Sequence, residues 1–118
     1  MTRNVPSLPA ALALAALANA APLPVSAEVG SRAEAIYQSH CAACHAPENI
    51  MVSSPKLNNA AQWRERLAPG LDHVIDRAVK GFGAMPPMGL CDACSRDDIE
   101  AAIRFMAAPA LDTPIPAD

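Results

Sequence analysis

The length, composition and charge of the chain limit what it can be. It has 118 residues and a formal net charge of −3, which suits one small domain and argues against nucleic acid as a partner. Its aromatic residues are one Trp, one Tyr and two Phe, so the side chains alone offer a thin core. A chain of this size usually adds a disulfide, a metal or a bulky cofactor.

The first 27 residues have the layout of a secretory signal peptide. Arg3 precedes an Ala- and Leu-rich run over residues 8–21, and a small-residue site ends at Ala27. The run is shorter than the ~20 apolar residues that cross a bilayer, and prolines follow it, which argues against a transmembrane anchor. We therefore predict cleavage after Ala27, with Ala20 as the other site, and a periplasmic domain over residues 28–108. Without cleavage the segment would be a membrane tether.

Four later segments carry apolar residues at helical spacing, and none shows the two-residue alternation of a strand. The first helix is predicted to begin at Ser31, with Glu34 completing a capping box, and to run into the sequence CAACH at residues 41–45. The helical spacing places Ala33, Ile36, Tyr37 and His40 on one face of this helix.

Two further helices follow a loop over residues 46–58. Asn59 with Gln62 indicates the start of a short helix that Pro69-Gly70 ends. The next helix shows the i, i+3, i+4, i+7 pattern and ends at Gly81. Its apolar stripe consists of Leu71, Val74, Ile75, Ala78 and Val79.

The C-terminal part of the chain combines an ordered loop with a final helix. The loop GFGAMPPMG, residues 81–89, cannot be helical at its prolines. The final helix is predicted to begin at Ser95, with acidic residues in its first turn, and to end at Pro109. Residues 109–118 are expected to form a flexible tail. The buried stripe of the helix would be Ile99, Ala102, Ile103 and Met106.

The sequence Cys-x-x-Cys-His at residues 41–45 is the attachment motif of c-type haem. Two thiols on one helical turn are able to add to the two vinyl groups on one edge of the porphyrin, while the adjacent imidazole reaches the iron. The motif therefore predicts one covalent haem c, with thioether bonds from Cys41 and Cys44 and with His45 as the proximal ligand.

A second cysteine pair, Cys91 and Cys94, raises two alternatives to haem. All four cysteines together would make a tetrahedral zinc site, or the chain would be a purely disulfide-bonded domain. The gap between the pairs is long for a zinc ribbon, export disfavours free thiolates, and zinc leaves His45 unexplained. Thioredoxin-type chemistry expects a βαβ pattern that the sequence lacks. Haem attachment is therefore the favoured interpretation.

A six-coordinate haem iron needs a second ligand opposite the histidine. The sequence offers Met51, Met85, Met88, Met106, His40 and His73. Met106 and His73 are better explained as a core and a solvated side chain on helices, and His40 is too close to the motif to reach the far face. Met85 is favoured over Met88, because the two prolines directly behind it would stiffen the loop that carries it.

The chain resembles bacterial class I monohaem cytochromes c, and among them the cytochrome c-five group. The matching stretches are CAACH, SSPKL, AQWRERLAPGLD, GFGAMPPMGLCDACS and IEAAIRFM, which are spread over nearly all of residues 31–106. The resemblance implies an all-α, small cytochrome c fold of about four helices wrapped around one covalently attached haem c. It also implies an electron carrier rather than an enzyme.

The resemblance assigns roles to individual residues. Met85 would be the distal ligand of the iron. Cys91 and Cys94 would form a disulfide away from the iron. The carbonyl of Pro55 would accept the N–H of the His45 ring, a bond that fixes the tautomer and raises the basicity of the ligand.

Two more pairs of residues receive roles from the same resemblance. Trp63 and Arg66 would lie near a haem propionate, and a core role is the alternative for Trp63. Tyr37 and Phe105 would meet where the first and last helices cross.

The predicted function is the transfer of single electrons between redox proteins, because an iron with two axial ligands binds no substrate. Donors and acceptors would be a membrane oxidase or reductase or other cytochromes, with no nucleic acid and no small-molecule substrate. Partners would dock near Ala42, Ala43 and the sequence NIMVSS at residues 49–54, and the acidic balance favours basic patches on them. A haem subunit of a larger oxidoreductase complex is the alternative.

Overall fold

The computed structural model describes residues 1–112, of which residues 1–24 have no regular secondary structure. The helices are α1 (Val25–Ile36), α2 (Ala42–His45), α3 (Ala60–Leu67), α4 (Leu71–Lys80) and α5 (Arg96–Leu111). A π-helical turn over residues 37–41 joins α1 to α2, and a tight turn over residues 87–90, with left-handed backbone at Met88 and Gly89, precedes α5. The β pairing in the described part of the chain is one bridge between Phe82 and Met85, so the all-α prediction is confirmed. None of these helices is both long and apolar enough to cross a membrane.

Helix α1 begins at Val25 and not at Ser31, so the predicted start is wrong. Pro24 precedes the helix with φ −60° and ψ 137°, the extended conformation typical of the residue before a first turn. The hydroxyl of Ser31 donates to the carbonyl of Glu28 at 2.9 Å, one turn back within the helix. Because serine forms such local bonds inside helices as well as at their ends, Ser31 and Glu34 did not mark a start.

The π-helical turn after α1 changes which side chains face the core. Ala33, Ile36 and Tyr37 are buried as predicted, but His40 is exposed. A π turn closes bonds from residue i to i+5 and so holds more residues than an α-helical turn, which rotates the following residues out of register. The predicted placement of His40 on the buried face is wrong for this reason.

The starts and ends predicted for α3 and α4 are confirmed. The side chain of Asn59 accepts the backbone N–H of Gln62 at 3.1 Å at the start of α3. Gly81 follows α4 with φ 84°, a conformation that a residue with a Cβ rarely adopts. In the apolar stripe of α4, Ile75 and Ala78 are buried and the other members are half-buried.

Helix α5 begins with the predicted cap. The Ser95 hydroxyl accepts the N–H of Asp98 at 3.1 Å, and the Asp98 carboxylate accepts the N–H of Ser95 at 2.9 Å. These two bonds satisfy backbone donors that have no partner within the helix. The predicted stripe is buried at all four positions, namely Ile99, Ala102, Ile103 and Met106.

The predicted end of the last helix at Pro109 is wrong, because α5 continues through this residue to Leu111. A proline lacks one backbone donor, and in the last turn of a helix this removes a single helical bond. Ala107 and Ala110 are buried on one face of that turn, which favours its continuation. The remainder of the predicted tail, residues 113–118, lies outside the described residues.

Helix α5 is the centre of the packing, since α1, α3 and α4 all contact it. The rings of Tyr37 and Phe105 lie 5.5 Å apart, so the predicted contact between the first and last helices is confirmed. Arg32 of α1 also forms a two-point ion pair with Asp98 of α5, at 2.6 and 2.9 Å. The buried cluster consists of Tyr37, Trp63, Ile75, Ala78, Ile99, Ile103, Met106, Ala107 and Ala110.

Candidate cofactor site

A largely apolar cavity of about 440 Å³ lies between the helices. This volume falls within the range of roughly 300–1000 Å³ that is common for ligand and cofactor sites. Side chains from the π-helical turn, α2, α3, α4, α5 and the loops surround it. The predicted site residues that line it are Cys41, Cys44, His45, Pro55, Trp63, Arg66 and Met85.

His45 is held on two sides by the loop that follows α2. Its ring Nδ1 lies 2.7 Å from the carbonyl oxygen of Pro55, and its own carbonyl accepts the N–H of Leu57 at 2.8 Å. Since a carbonyl accepts only, Nδ1 carries the proton and Nε2 keeps the lone pair that binds a metal. Burial lowers the pKa of His45 and the nearby charge of Lys56 lowers it further, while the bond to Pro55 acts in the opposite direction. The net effect favours the neutral imidazole.

Cys41 and Cys44 are both free thiols beside the cavity. Cys41 is half-buried, and this burial raises the pKa of its thiol to about 11, whereas Cys44 is exposed. They lie one turn apart, at the end of the π-helical turn and within α2. Two free thiols and a histidine with a free Nε2, all on one apolar cavity, form a donor set that fits a covalently attached haem.

Met85 reaches the cavity from the strap, which we define as residues 81–90. Its backbone N–H and carbonyl each form a 3.0 Å hydrogen bond with Phe82, which closes a tight turn. A Cβ at Gly81 would lie 3.0 Å from Pro87 and 3.1 Å from the Met85 carbonyl, so a larger residue there would push the strap outward. The half-buried Met85 side chain lines the cavity.

The other candidate ligands occupy different positions. Met88 also lines the cavity from the strap, and Met106 does so from within the buried cluster. His40 borders the cavity but is exposed. Met51 is 89% exposed, and His73 is an exposed residue of α4. The strap therefore brings two thioethers to the cavity, one of which is the predicted Met85.

Trp63 is nearly fully buried, with 2% of its surface exposed, and its ring stacks on that of His45 at a centroid distance of 6.1 Å. Its indole N–H donates to the carbonyl of Lys56 at 2.9 Å, which occupies its single donor. Arg66 lies further along α3, borders the cavity and is partly exposed. Trp63 therefore supports the histidine side of the cavity, and Arg66 adds a positive charge at its border.

Arg77 and Lys56 are two residues that sequence reasoning missed. Arg77 lines the cavity from α4 with its guanidinium 4.0 Å from the centre of the Phe82 ring, so it joins the helix to the strap. The sequence did contain a signal for Arg77. It lies three residues after Val74, and this spacing places both side chains on one face of the helix. Lys56 directly follows Pro55, and its contacts depend on the folded loop, so no local pattern indicated its role.

Cys91 and Cys94 lie outside the cavity. Their sulfur atoms are 1.97 Å apart, the bonding distance of a disulfide, and the pair directly precedes the Ser95 cap. In residues 1–112, no group of three or more His, Cys, Asp or Glu side chains is placed to hold a metal ion. The alternative of one zinc site made by all four cysteines is therefore not supported.

Comparison with known proteins places this chain among haem proteins. The family described as "Cytochrome C oxidase, cbb3-type, subunit III" matches residues 28–106. Cytochrome c5 of Ectopseudomonas mendocina is 40% identical over 85 residues, which cover 70% of this chain and 95% of that protein. Cytochrome c5 of Azotobacter vinelandii is 35% identical over 74 residues, covering 61% of this chain and 87% of that protein.

A solved structure agrees with these sequence matches. It is described as a crystal structure of the electron transfer complex of nitrite reductase with cytochrome c. The matched chain is 35% identical and superposes with a TM-score of 0.58, covering 67% of this chain and 94% of its own length. The likeness therefore extends over nearly the whole of the matched chain.

Proposed function

Because the chain belongs to the class I c-type cytochromes and resembles cytochrome c5, we propose that it is an exported carrier whose haem iron is bound by His45 and Met85. The cofactor of this family is covalently attached haem c, and the likeness to cytochrome c5 indicates an electron carrier rather than an enzyme. In the proposed site, thioether bonds from Cys41 and Cys44 hold the haem. The protein passes single electrons between redox proteins.

The observation that carries the proposal is the meeting of these side chains on one cavity. The two free thiols and the imidazole come from one continuous stretch, residues 41–45, and the Met85 thioether comes from the strap. The hydrogen bond from His45 to the Pro55 carbonyl leaves Nε2 as the metal-binding nitrogen.

The remaining residues of the site control the surroundings of the iron. Haem iron, when bound, cycles between its ferrous and ferric states, and a methionine ligand raises its reduction potential. The Pro55 carbonyl orients the His45 ring and increases its basicity. Ile103 and Met106 line the cavity from α5 and keep water away, which disfavours the additional charge of a ferric ion.

Optical spectra of the protein made with haem-maturation machinery test the proposal. A pyridine haemochrome assay should give a c-type signal, and the oxidised protein should show the near-infrared band of a methionine bound to ferric iron. Met85→Ala should lose that band and bind carbon monoxide in the ferrous state. Met88→Ala is the matched control and should keep the band. A band that survives Met85→Ala and disappears in Met88→Ala would transfer the ligand role to Met88.

Export is proposed on the N-terminal segment. The family match begins at residue 28, directly after the proposed cleavage site at Ala27. The apolar residues of the preceding run are exposed, with Leu8, Leu14 and Leu17 each at least 90% accessible, so this run contributes nothing to the core. The mass of the protein from a periplasmic fraction should correspond to a chain that begins at Glu28. An intact chain in the membrane fraction would favour a tether.

The proposed partners are redox proteins that dock beside the cavity, and the nitrite reductase complex of the similar cytochrome supports this class. The predicted docking loop lies between α2 and α3. In it, the Asn49 side chain accepts the N–H groups of Met51 and Val52 and so holds this part of the loop in a turn. Ile50 and Met51 are 87% and 89% exposed there, whereas Val52 is half-buried against the cavity. Met51→Ser should slow electron transfer to a partner more than Val29→Ser, which alters an exposed apolar residue of α1. Equal rates would remove the loop from the docking surface.

A haem subunit of a larger oxidoreductase complex is the second candidate. The description of the matching family as subunit III of a cbb3-type oxidase favours it. The 95% coverage of a stand-alone cytochrome c5 favours the free carrier. Native electrophoresis of mildly solubilised cells, with haem staining, separates the two, because a subunit migrates with a large complex and a carrier migrates alone.

A further inference from the structure

The ammonium group of Lys56 lies beside the histidine of the cofactor site and has three oxygen partners. Its Nζ donates to the carbonyls of Cys44 and Val52 and to the hydroxyl of Ser54, each at 2.9 Å. The residue is half-buried, and no carboxylate in the described chain forms a salt bridge with it. The positive charge is therefore satisfied by neutral oxygens of α2 and of the loop that follows it.

These contacts close the loop between α2 and α3 onto the end of α2. The Cys44 carbonyl belongs to α2, while Val52 and Ser54 lie within the loop. The Ser54 hydroxyl also donates to the Cys44 carbonyl, at 2.5 Å. Since hydrogen bonds from a charged donor are about twice as strong as those between neutral groups, the ammonium is the strongest of these ties.

Lys56 is also fixed through its backbone, directly between the two residues that hold the histidine. The preceding residue, Pro55, supplies the carbonyl that accepts the His45 ring N–H, and the following residue, Leu57, donates to the His45 carbonyl. The Lys56 carbonyl accepts the indole N–H of Trp63 at 2.9 Å. The Lys56 N–H donates to a glutamine of α3 at 2.8 Å.

We propose that Lys56 is a positioning residue for the proximal imidazole. Its ammonium ties the loop to the Cys44 carbonyl, and this tie keeps the Pro55 carbonyl on Nδ1 of His45. The ring orientation then depends on a side chain that forms no hydrogen bond with the ring. The inference rests on the proposed function in one respect, namely that His45 is an iron ligand.

The exchange rate of the His45 Nδ1 proton with solvent tests the inference, measured by NMR on the reduced haem protein. Lys56→Met keeps the length of the side chain but removes the charge and the donors. We expect exchange about tenfold faster than in the unchanged protein, since a hydrogen bond to a charged group is worth that factor or more. Lys56→Arg restores charge and donors and should return the rate to within about twofold.

Two comparisons separate positioning from a general loss of stability. Lys80→Met removes an exposed lysine at the end of α4 and should leave the Nδ1 exchange rate unchanged. Backbone amides of α5 should exchange at the same rate in Lys56→Met as in Lys80→Met. Equal Nδ1 exchange rates in these two variants would overturn the inference.

Ser54→Ala provides the same test if Lys56→Met does not fold. It removes one oxygen partner and keeps the ammonium, so it should accelerate Nδ1 exchange in the same direction by a smaller factor. An unchanged rate in Ser54→Ala would then overturn the inference. Failure of the proposed function has a different signature, because the unchanged protein would then lack the c-type haem spectrum altogether.

Discussion

The backbone at the end of the strap is strained at particular residues. Met88, Gly89 and Leu90 have φ values of 59°, 57° and 61°, all in the left-handed region. Glycine adopts this conformation freely, whereas a residue with a Cβ is disfavoured by roughly 1–2 kcal/mol. The Met88 side chain is half-buried against the cavity and gains packing in return, but the Leu90 side chain is 72% exposed. Leu90 also borders the cavity, so contact with a bound cofactor is the one packing gain available to offset its strain.

Leu90→Gly should stabilise the protein by about 0.5–1 kcal/mol, because relief of the strain exceeds the greater entropy of glycine in the unfolded chain. The free energy of unfolding of the haem protein in guanidinium chloride measures this. Leu90→Ala is the control, since it keeps a Cβ and so retains the strain. A loss of stability in Leu90→Gly would mean that the exposed leucine contributes packing that outweighs the strain.

The carboxylate of Asp98 links helices α1 and α5 and also caps the start of α5. Asp98 accepts hydrogen bonds from Nε and Nη2 of Arg32 and also from the Ser95 N–H of its own cap. These contacts hold the pKa of Asp98 well below its usual range, and the hydrogen bond from Arg32 has the largest effect. The charged carboxylate therefore stabilises the fold above its usual pKa of about 3.9. This contribution is lost as the pH falls below that value.

Asp98→Asn should lower the melting temperature at pH 7 and flatten its fall between about pH 4 and pH 2, where the unchanged protein loses the contribution. Thermal unfolding followed by circular dichroism at both ends of this range measures the difference. Asp97→Asn is the matched control, because it removes the same charge from the same turn and leaves the pair with Arg32 intact. A pH profile in Asp98→Asn as steep as that of the control would show that other groups determine the acid transition.

The disulfide between Cys91 and Cys94 links the end of the strap to the start of α5. Cys91 is buried and directly follows the strap, and Cys94 precedes the Ser95 cap. The loop that it closes is very short, so in the loop-entropy model its effect on the unfolded chain is small. Its principal effect is therefore expected to be local stiffness of the segment that carries Met85.

Replacement of both cysteines, Cys91→Ser/Cys94→Ser, should leave the haem attached and weaken the proposed bond between Met85 and the iron. The near-infrared methionine band of the ferric protein should then disappear at a lower temperature than in the unchanged protein. Asp92→Ser alters the same loop without breaking the disulfide and should retain the original temperature. Identical heating curves for the two variants would show that the disulfide does not stabilise the binding of the methionine ligand.

The elements that sequence reasoning predicted correctly are those with a local signal. Asn59 and Ser95 are caps whose side chains bond within one turn, and Gly81 ends α4 because the chain there needs a positive φ. The start of α1 and the π-helical turn have no such signal. Helix α5 passes through Pro109 because burial of Ala110 outweighs the local preference, a tertiary effect that no short pattern contains.

The same division applies to the site. A contiguous motif specifies residues 41–45, and the prolines of the strap single out Met85. The cation over Phe82 and the ammonium beside His45 depend on elements distant in sequence or on a folded loop. These contacts were therefore beyond sequence reasoning.

The cofactor completes the core of the protein. The buried cluster of α3, α4 and α5 borders the cavity of about 440 Å³, which the side chains leave open. Apolar side chains that border such a space lose packing contacts when nothing fills it, and the cost of an empty core cavity rises with its volume. Haem attachment and folding are therefore expected to be coupled.

Cys41→Ser/Cys44→Ser removes both attachment points and should yield a chain without a cooperative thermal transition. Its far-ultraviolet circular dichroism should show less helix than that of the haem protein, and it should bind the dye ANS, as compact chains without fixed packing do. Cys91→Ser/Cys94→Ser is the control, because it removes as many cysteines but keeps the haem and should still unfold cooperatively. A haem-free chain that retains full helicity and a sharp transition would mean that α1, α3, α4 and α5 are stable around an empty cavity, and that the cofactor adds function without completing the fold.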